Sequence, residues 1–512
     1  MGLFVRLAVA VAAFSISATA DAAWHEAKSS HFIIYADLKP DQIKAYAERL
    51  ERFDQAVRRV RGMKDPALTD AQRLTVYALR SEGAVARLAG ASEVRGFYRP
   101  DSSGSSAFVP RSAGSKGVAW ELDTEEIFFH EYAHHLQLEA SSAALPPWNV
   151  EGFAEFFATA VIEKDGSVVI GNAPQYRAYG LFNVTSLSLE AIVGATYDRL
   201  DGGEHDLLYG MGWLLTHYLT FEPTRKGQLA HYLENIQKGM PALAAAKSAF
   251  GDLKQLNREL EKYKLSKLHG LRVRGDTLSI GKVAVRPLTA GEAAIMDVHV
   301  RSRRGVNDKT AREVVAAARK AAAPYPNEPF VQAALAEAEF DAHEYEAAEA
   351  AADRALATDP NYVRALLYKG RALMELGKGR PDTQWSEVRG WFAKANRLDT
   401  ENAEPLRLFY QSYEYAGAKP TRNSVEGLLY SVALVPQDDG LRVSAVRELL
   451  VEGRLAEAKD MFAPMAFQPH APKKYRESNA EVMAAIDAAD GKRALTVLEA
   501  AMQAPDDEDG KR

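Results

Sequence analysis

Thr124-Glu125-Glu126-Ile127-Phe128-Phe129-His130-Glu131-Tyr132-Ala133-His134 is the stretch on which the reading of this chain turns. Acidic residues directly after Thr124 mark a helix N-terminus, and the helix they predict runs to about Ala140. On a helix, residues i and i+4 share a face, so the His130 and His134 imidazoles can meet at one metal ion. Glu131 stands beside that face, where a carboxylate can take a proton from a water activated by the metal. Phe128, Phe129 and Leu136 frame the motif, which places the helix in a core rather than on a solvated surface.

Such a site needs a third protein ligand. Downstream, Pro146-Pro147 breaks the chain, and Trp148-Asn149-Val150-Glu151-Gly152-Phe153-Ala154-Glu155 opens a second helix, predicted from about Val150 to Ile162. Glu151 is the candidate third ligand. Glu155 falls one helical turn later, where a carboxylate can accept the outer N–H of a ligand histidine. His135 points about 100° away from the ligand face and is read as a packing residue.

Together these residues resemble the gluzincin metallopeptidases, which include thermolysin and the M1 aminopeptidases, and most closely the peptidase MA-like group. The resemblance covers roughly residues 24 to 265 and is concentrated in 128–156. It implies a zinc ion on His130, His134 and Glu151, with Glu131 as general base. Sixteen residues separate His134 from Glu151, two fewer than in the M1 enzymes, and Val150 stands where those enzymes have asparagine. Tyr209-Gly210-Met211-Gly212-Trp213 is similar to the M1 element whose tyrosine stabilises the oxyanion, which implies that role for Tyr209.

The remainder of the chain sets the frame. Its 512 residues suggest two to four domains, and 47% apolar with 26% charged residues is the composition of a globular protein. A net charge of −6 without a basic face argues against a nucleic-acid partner. With no cysteine, disulfides and thiol nucleophiles are excluded and metal ligation falls to His and carboxylates. Arg6, the apolar run Leu7 to Ile16 and the small residues to Ala23 read as a signal peptide over 1–23, so the expected location is periplasmic or secreted, without a stable membrane span after cleavage.

The expected architecture is multidomain: an α+β thermolysin-like zinc peptidase domain over 24–268, a β or extended connector over 269–304, and an all-α TPR-like solenoid over 305–508. Strands are predicted at 31–36, 74–79, 93–100 and 106–110, and further helices at 41–61, 207–221 and 243–265. From Pro326 the chain is Ala-rich, with Pro360, Pro436, Pro469 and Pro505 spaced as breaks between helix pairs. Leu335, Ala336, Ala348, Ala355, Gly370, Ala395, Ala433, Ala456 and Ala494 fall where paired helices need small or apolar residues. Two functions follow as expectations. One is an exported zinc peptidase acting on peptides or proteins; the other is a protein-binding or assembly module, in which the solenoid captures a partner and the metallopeptidase-like part is a catalytically weak scaffold.

Overall fold

The computed structural model describes residues 24–92, 94–111, 124–140, 145–184, 187–195, 200, 202–466 and 473–503. The expected signal peptide, Pro469 and Pro505 lie outside them. Among the described residues no helix is long and apolar enough to cross a membrane.

The N-terminal half is built on a sheet. Strand β1 (His25–Lys28) pairs antiparallel with β2 (Phe32–Ala36), which runs parallel to β3 (Leu74–Leu79). The edge strand β4 (Phe97–Arg99) lies antiparallel to β5 (Ser106–Pro110), itself parallel to β3. Both faces of β2, β3 and β5 are mostly buried, which is why they read as continuous apolar runs rather than alternating ones.

Helix α1 (Pro40–Arg61) covers one face, burying Ile43, Ala47, Leu50, Phe53 and Val57. Helix α2 (Glu82–Ala89) lies on the other face, where Leu88 packs beside Tyr77 and Phe108, and α3 (Thr124–Ala140), the helix of the His130 motif, returns to the face that α1 covers. Helix α3 is fastened to α1 twice. The Phe53 and Phe129 rings stack at 3.9 Å, and beside them Tyr132 donates to buried Asp54 at 2.8 Å. Arg58 bridges the two helices, donating to Asp54 and, through both terminal nitrogens, to Glu139 at 3.0 Å. Buried His31 lies beside this network, its Nδ1 3.4 Å from Asp54, and is itself bonded to Glu51 and Asp65.

Helix α4 (Pro147–Ala158) turns back from α3 with proline at its first position, where no N–H is needed. Short helices α5 (Ala178–Asn183) and α6 (Leu189–Val193) precede α7 (Gly202–Phe221). Helices α4 and α7 cross at two glycines. A Cβ on Gly152 would sit 2.3 Å from the Gly212 carbonyl oxygen, and one on Gly212 would sit 2.6 Å from that of Trp148. Only glycine lets the two backbones approach so closely. Helices α8 (Gln228–Gln237), α9 (Ala242–Phe250) and α10 (Leu253–Tyr263) complete this core. The single helix read over 243–265 is thus two, divided at Gly251-Asp252, where the Asp252 side chain caps α10. A three-stranded antiparallel sheet of β6 (Val161–Ile162), β7 (Val168–Ile170) and β8 (Leu271–Val273) flanks it.

The segment read as an extended connector is different. Strand β9 (Ala284–Pro287) joins the large sheet beside β1, giving the order β4-β5-β3-β2-β1-β9. Residues 290–304 form helix α11 (Ala290–Arg304), closed at its start by a reciprocal Thr289–Glu292 capping box. Its Met296 and Val300 pack on Tyr35, Tyr77 and Phe108 from the second face of the sheet. The Thr289-x-x-Glu292 signal, missed beside the apolar run before it, explains the helix.

Helix α11 is also the first helix of the solenoid, paired with α12 (Asp308–Ala322). The pairs that follow are α13 (Pro329–Asp341) with α14 (Tyr345–Thr358), and α15 (Val363–Gly377) with α16 (Trp385–Leu398). Next come α17 (Ala403–Tyr415) with α18 (Arg422–Leu434), α19 (Asp439–Val451) with α20 (Leu455–Phe462), and α21 (Lys473–Asp487) with α22 (Gly491–Gln503). This region is an all-α solenoid of stacked helix pairs. Leu335, Ala336, Ala348, Ala355, Ala395 and Ala494 are buried between helices as the repeat phasing requires. Ala433 and Ala456 are exposed, and their neighbours Val432 and Ala458 take the buried positions. Ala433 lies near the end of α18 and Ala456 at the start of α20, one and two positions from the residues that their helices bury. Further along, the solenoid touches the first half again: Asp438, which caps α19, also accepts from the Ser102 backbone N–H at 2.7 Å.

The glycine crossing yields a direct expectation. Gly152→Ala forces backbone apart against backbone and costs about 3 kcal/mol, the upper range for overpacking, read as a lowered urea midpoint. Gly227→Ala, which meets nothing within 4 Å, is the reference for the cost of its positive φ alone.

Candidate metal centre

Helices α3 and α4 meet at an angle that turns their motif residues toward each other. The Nε2 atoms of His130 and His134 are 3.1 Å apart, and Glu151 Oε2 lies 3.4 Å from the first and 3.5 Å from the second. The Glu151 side chain is fully buried and the two imidazoles are nearly so. Two ring nitrogens and one carboxylate oxygen, converging from two rigid helices, form a donor set suited to zinc.

The electrostatics point the same way. Burial pulls the His130 imidazole down, but the hydrogen bond to Glu151 and the charges of Glu155, Glu151 and Glu131 outweigh it and raise its pKa. Three carboxylates around two imidazoles leave a site that favours a positive charge at its centre. Glu131, half-buried, is the residue next to His130 along α3. The donor set therefore fits a divalent cation.

Glu155 lies on the far side of His130, its Oε1 3.6 Å from Nδ1, longer than a hydrogen bond. The carboxylate is held instead by Arg177, which donates to Oε1 from Nε at 3.0 Å and from Nη2 at 2.7 Å, and by the Tyr176 hydroxyl at 2.7 Å to Oε2. The Arg177 guanidinium also lies 4.4 Å over the Tyr209 ring and donates to Asp206 of α7. Tyr209 runs nearly parallel to His130, with ring centroids 6.2 Å apart and an angle of 8°. One arginine thus ties the carboxylate behind the histidine to the helix that carries Tyr209.

The structure therefore brings His130, His134, Glu151, Glu131, Tyr209 and Glu155 into one neighbourhood. Arg177 and Tyr176 were missed, because nothing in their short turn marks them: their partner is more than 20 residues away and only folding makes the contact. His135 takes no part. Burial pushes its pKa down to about 4, and its Nδ1 shares a hydrogen bond with the Tyr98 hydroxyl at 2.9 Å.

No protein-family model matches this sequence, and no curated protein matches it. Solved structures similar to part of the chain include TPR proteins. Pseudomonas aeruginosa pilF is 18% identical, covering 41% of this chain and 88% of its own, with a TM-score of 0.32. A thermophilic TPR protein of Thermus thermophilus is 16% identical over 37% and 97%, also at 0.32. A tetratricopeptide repeat protein of Parabacteroides merdae is 13% identical over 55% and 93%, at 0.30. With all three scores below 0.5, the description of the solenoid rests on its own helix pairs.

The position of Glu155 behind His130 sets an expectation. Glu155→Gln preserves shape but removes the charge, and zinc affinity falls about 10- to 100-fold in a competition titration against a chromophoric chelator. Unchanged affinity assigns Glu155 to holding Arg177 alone.

Proposed function

We propose that this chain is an exported zinc-dependent peptidase with a thermolysin-like catalytic unit, acting in the periplasm or outside the cell, whose solenoid binds a protein partner. The observation that carries the reading is the meeting of His130 Nε2, His134 Nε2 and Glu151 Oε2 with Glu131 at the adjacent helical position. His130, His134 and Glu151 would hold a zinc ion, which would supply Lewis acidity toward a water and a substrate carbonyl. The rest of the chemistry belongs to the chain. Glu131 accepts the proton of the attacking water and passes it to the departing amine. Tyr209 offers its phenolic O–H to the oxyanion that develops on the substrate carbonyl. Arg177 stacks on the Tyr209 ring and grips Glu155, holding donor and ligand helix in fixed relation. Burial of the ligands keeps competing water from the carboxylates and strengthens each of these interactions.

A second reading is favoured by the solenoid itself: a protein-binding or assembly module in which the metal centre is a scaffold. Stacked helix pairs present a continuous surface suited to a peptide or protein partner. One experiment separates the two. Purified, zinc-loaded protein is incubated with a mixed peptide library, beside Glu131→Gln carrying the same measured zinc. The peptidase reading expects chelator-sensitive cleavage that drops about 10²- to 10⁴-fold in the variant. Equal cleavage by both proteins, or none by either with one zinc bound, leaves the binding module.

A further inference from the structure

On the face of the large sheet away from the metal centre, the strands and the first solenoid helices enclose a cleft of about 750 Å³. That volume is within the range of small-molecule sites. Its floor is Tyr35 and Tyr77, stacked at 5.7 Å, and its walls include Phe330 and Tyr362. At one end stand His299 and Arg303 of α11 and Arg364 of α15. The metal-site chemistry uses none of these residues.

The hydrogen bonds at that end fix the protons. Arg364 Nη2, which can only donate, lies 3.0 Å from His299 Nδ1, so Nδ1 accepts and the ring proton sits on Nε2. Burial and the two nearby guanidiniums push the His299 pKa well down, so the ring stays neutral. Its Nε2–H then donates to the Tyr77 hydroxyl oxygen at 2.9 Å, and the Arg303 guanidinium stands close to the same hydroxyl. Tyr77 thereby keeps its own proton to donate, and no other hydrogen bond of its hydroxyl is formed among the described residues. Arg364 is bound to Glu337 and His299 through Nη2 alone, which leaves its Nε and Nη1 hydrogens for a ligand. Arg303 is hydrogen-bonded to neutral groups, the Ser103 hydroxyl and the Ser103 and Gly104 carbonyls, with Asp101 farther off. Two guanidiniums and a phenolic O–H thus converge on one corner, the arrangement that receives a planar anion.

The rest of the cleft limits what that anion belongs to. The aromatic walls suit an apolar body. Opposite, Glu328 uses Oε2 to accept from Thr289 and Asp359 uses Oδ1 to accept from Asn361 N–H, so each keeps an oxygen for an N–H donor. These carboxylates, with Glu26, Asp70 and Glu292, outnumber the three arginines of the lining, which disfavours a doubly charged phosphate. We propose that this cleft binds a short peptide with a free C-terminal carboxylate and an apolar last side chain. The carboxylate sits between Arg364 and the Tyr77 hydroxyl, the last side chain lies on Tyr35 and Phe330, and the peptide N–H groups face Glu328 and Asp359. This site is independent of the metal centre and stands whether or not the chain is a peptidase.

Calorimetric titration of the full-length protein in excess chelator, which prevents cleavage, tests it with Ala-Leu-Phe as the free acid and as the C-terminal amide. The acid binds, and the amide binds at least about tenfold more weakly, the loss expected when charge-assisted hydrogen bonds are removed. Tyr77→Phe weakens the acid by about tenfold and leaves the amide unchanged, with melting temperature verifying the fold. Equal affinity for acid and amide overturns the proposal, as does no saturation by about 10 mM or tighter binding of phenyl phosphate. If Tyr77→Phe does not fold, the acid and amide comparison on the unaltered protein decides alone.

Discussion

The near-contact of Gly152 with Gly212 is the constraint from which the candidate site follows. Glu151 directly precedes one glycine on α4, and Tyr209 lies one helical turn before the other on α7. Locking the helices together backbone to backbone fixes both functional side chains on the same side of the crossing, facing the His130 helix. A larger residue at either point would push α7 outward and carry Tyr209 away from His130. The two glycines therefore act at the site through geometry alone, although neither offers a side chain to it.

The third helix is positioned by a different force. Helix α3 meets α1 through stacked phenylalanines and through Asp54, a buried carboxylate shared between Tyr132 and Arg58. Burial raises the Asp54 pKa, and the charges of His31 and Arg58 with the Tyr132 hydrogen bond oppose that rise. Buried charges of this kind add little net stability against a well-packed apolar alternative, but removing one partner strands the others. Tyr132 lies inside the motif between its two histidines, so the network that seats it also sets the orientation of both imidazoles.

How far the sequence could be read depended on the range of the interaction. Short-range periodicity located the α1 stripe, β3 from Leu74 to Leu79 and the i,i+4 face of His130 and His134, because those patterns repeat within a few residues. Glu151 was reachable because a proline turn and a motif together constrain it. Arg177, Tyr176 and the Asp54 network were not: each depends on contacts between segments that no local pattern links. The repeat phasing met buried positions at Ala348, Ala355 and Ala494 and fell one or two residues off the buried face at Ala433 and Ala456, because the connections between helices differ in length and no local pattern counts them. Helix α11 carries one local sign of itself, the Thr289–Glu292 capping box, directly after a stretch of extended character.

The contact between Asp438 and the Ser102 amide changes the mechanics of the repeat array. A solenoid joined to its neighbour only through α11 would be a cantilever, free to swing and flex at its far end. Pinned a second time near its fourth and fifth helix pairs, it becomes an arch with two footings, and its curvature is set by the span between them. A load applied between the footings is then shared with the loop at Ser102, which leads into β5 and lies on the same side as the helix that carries the histidines.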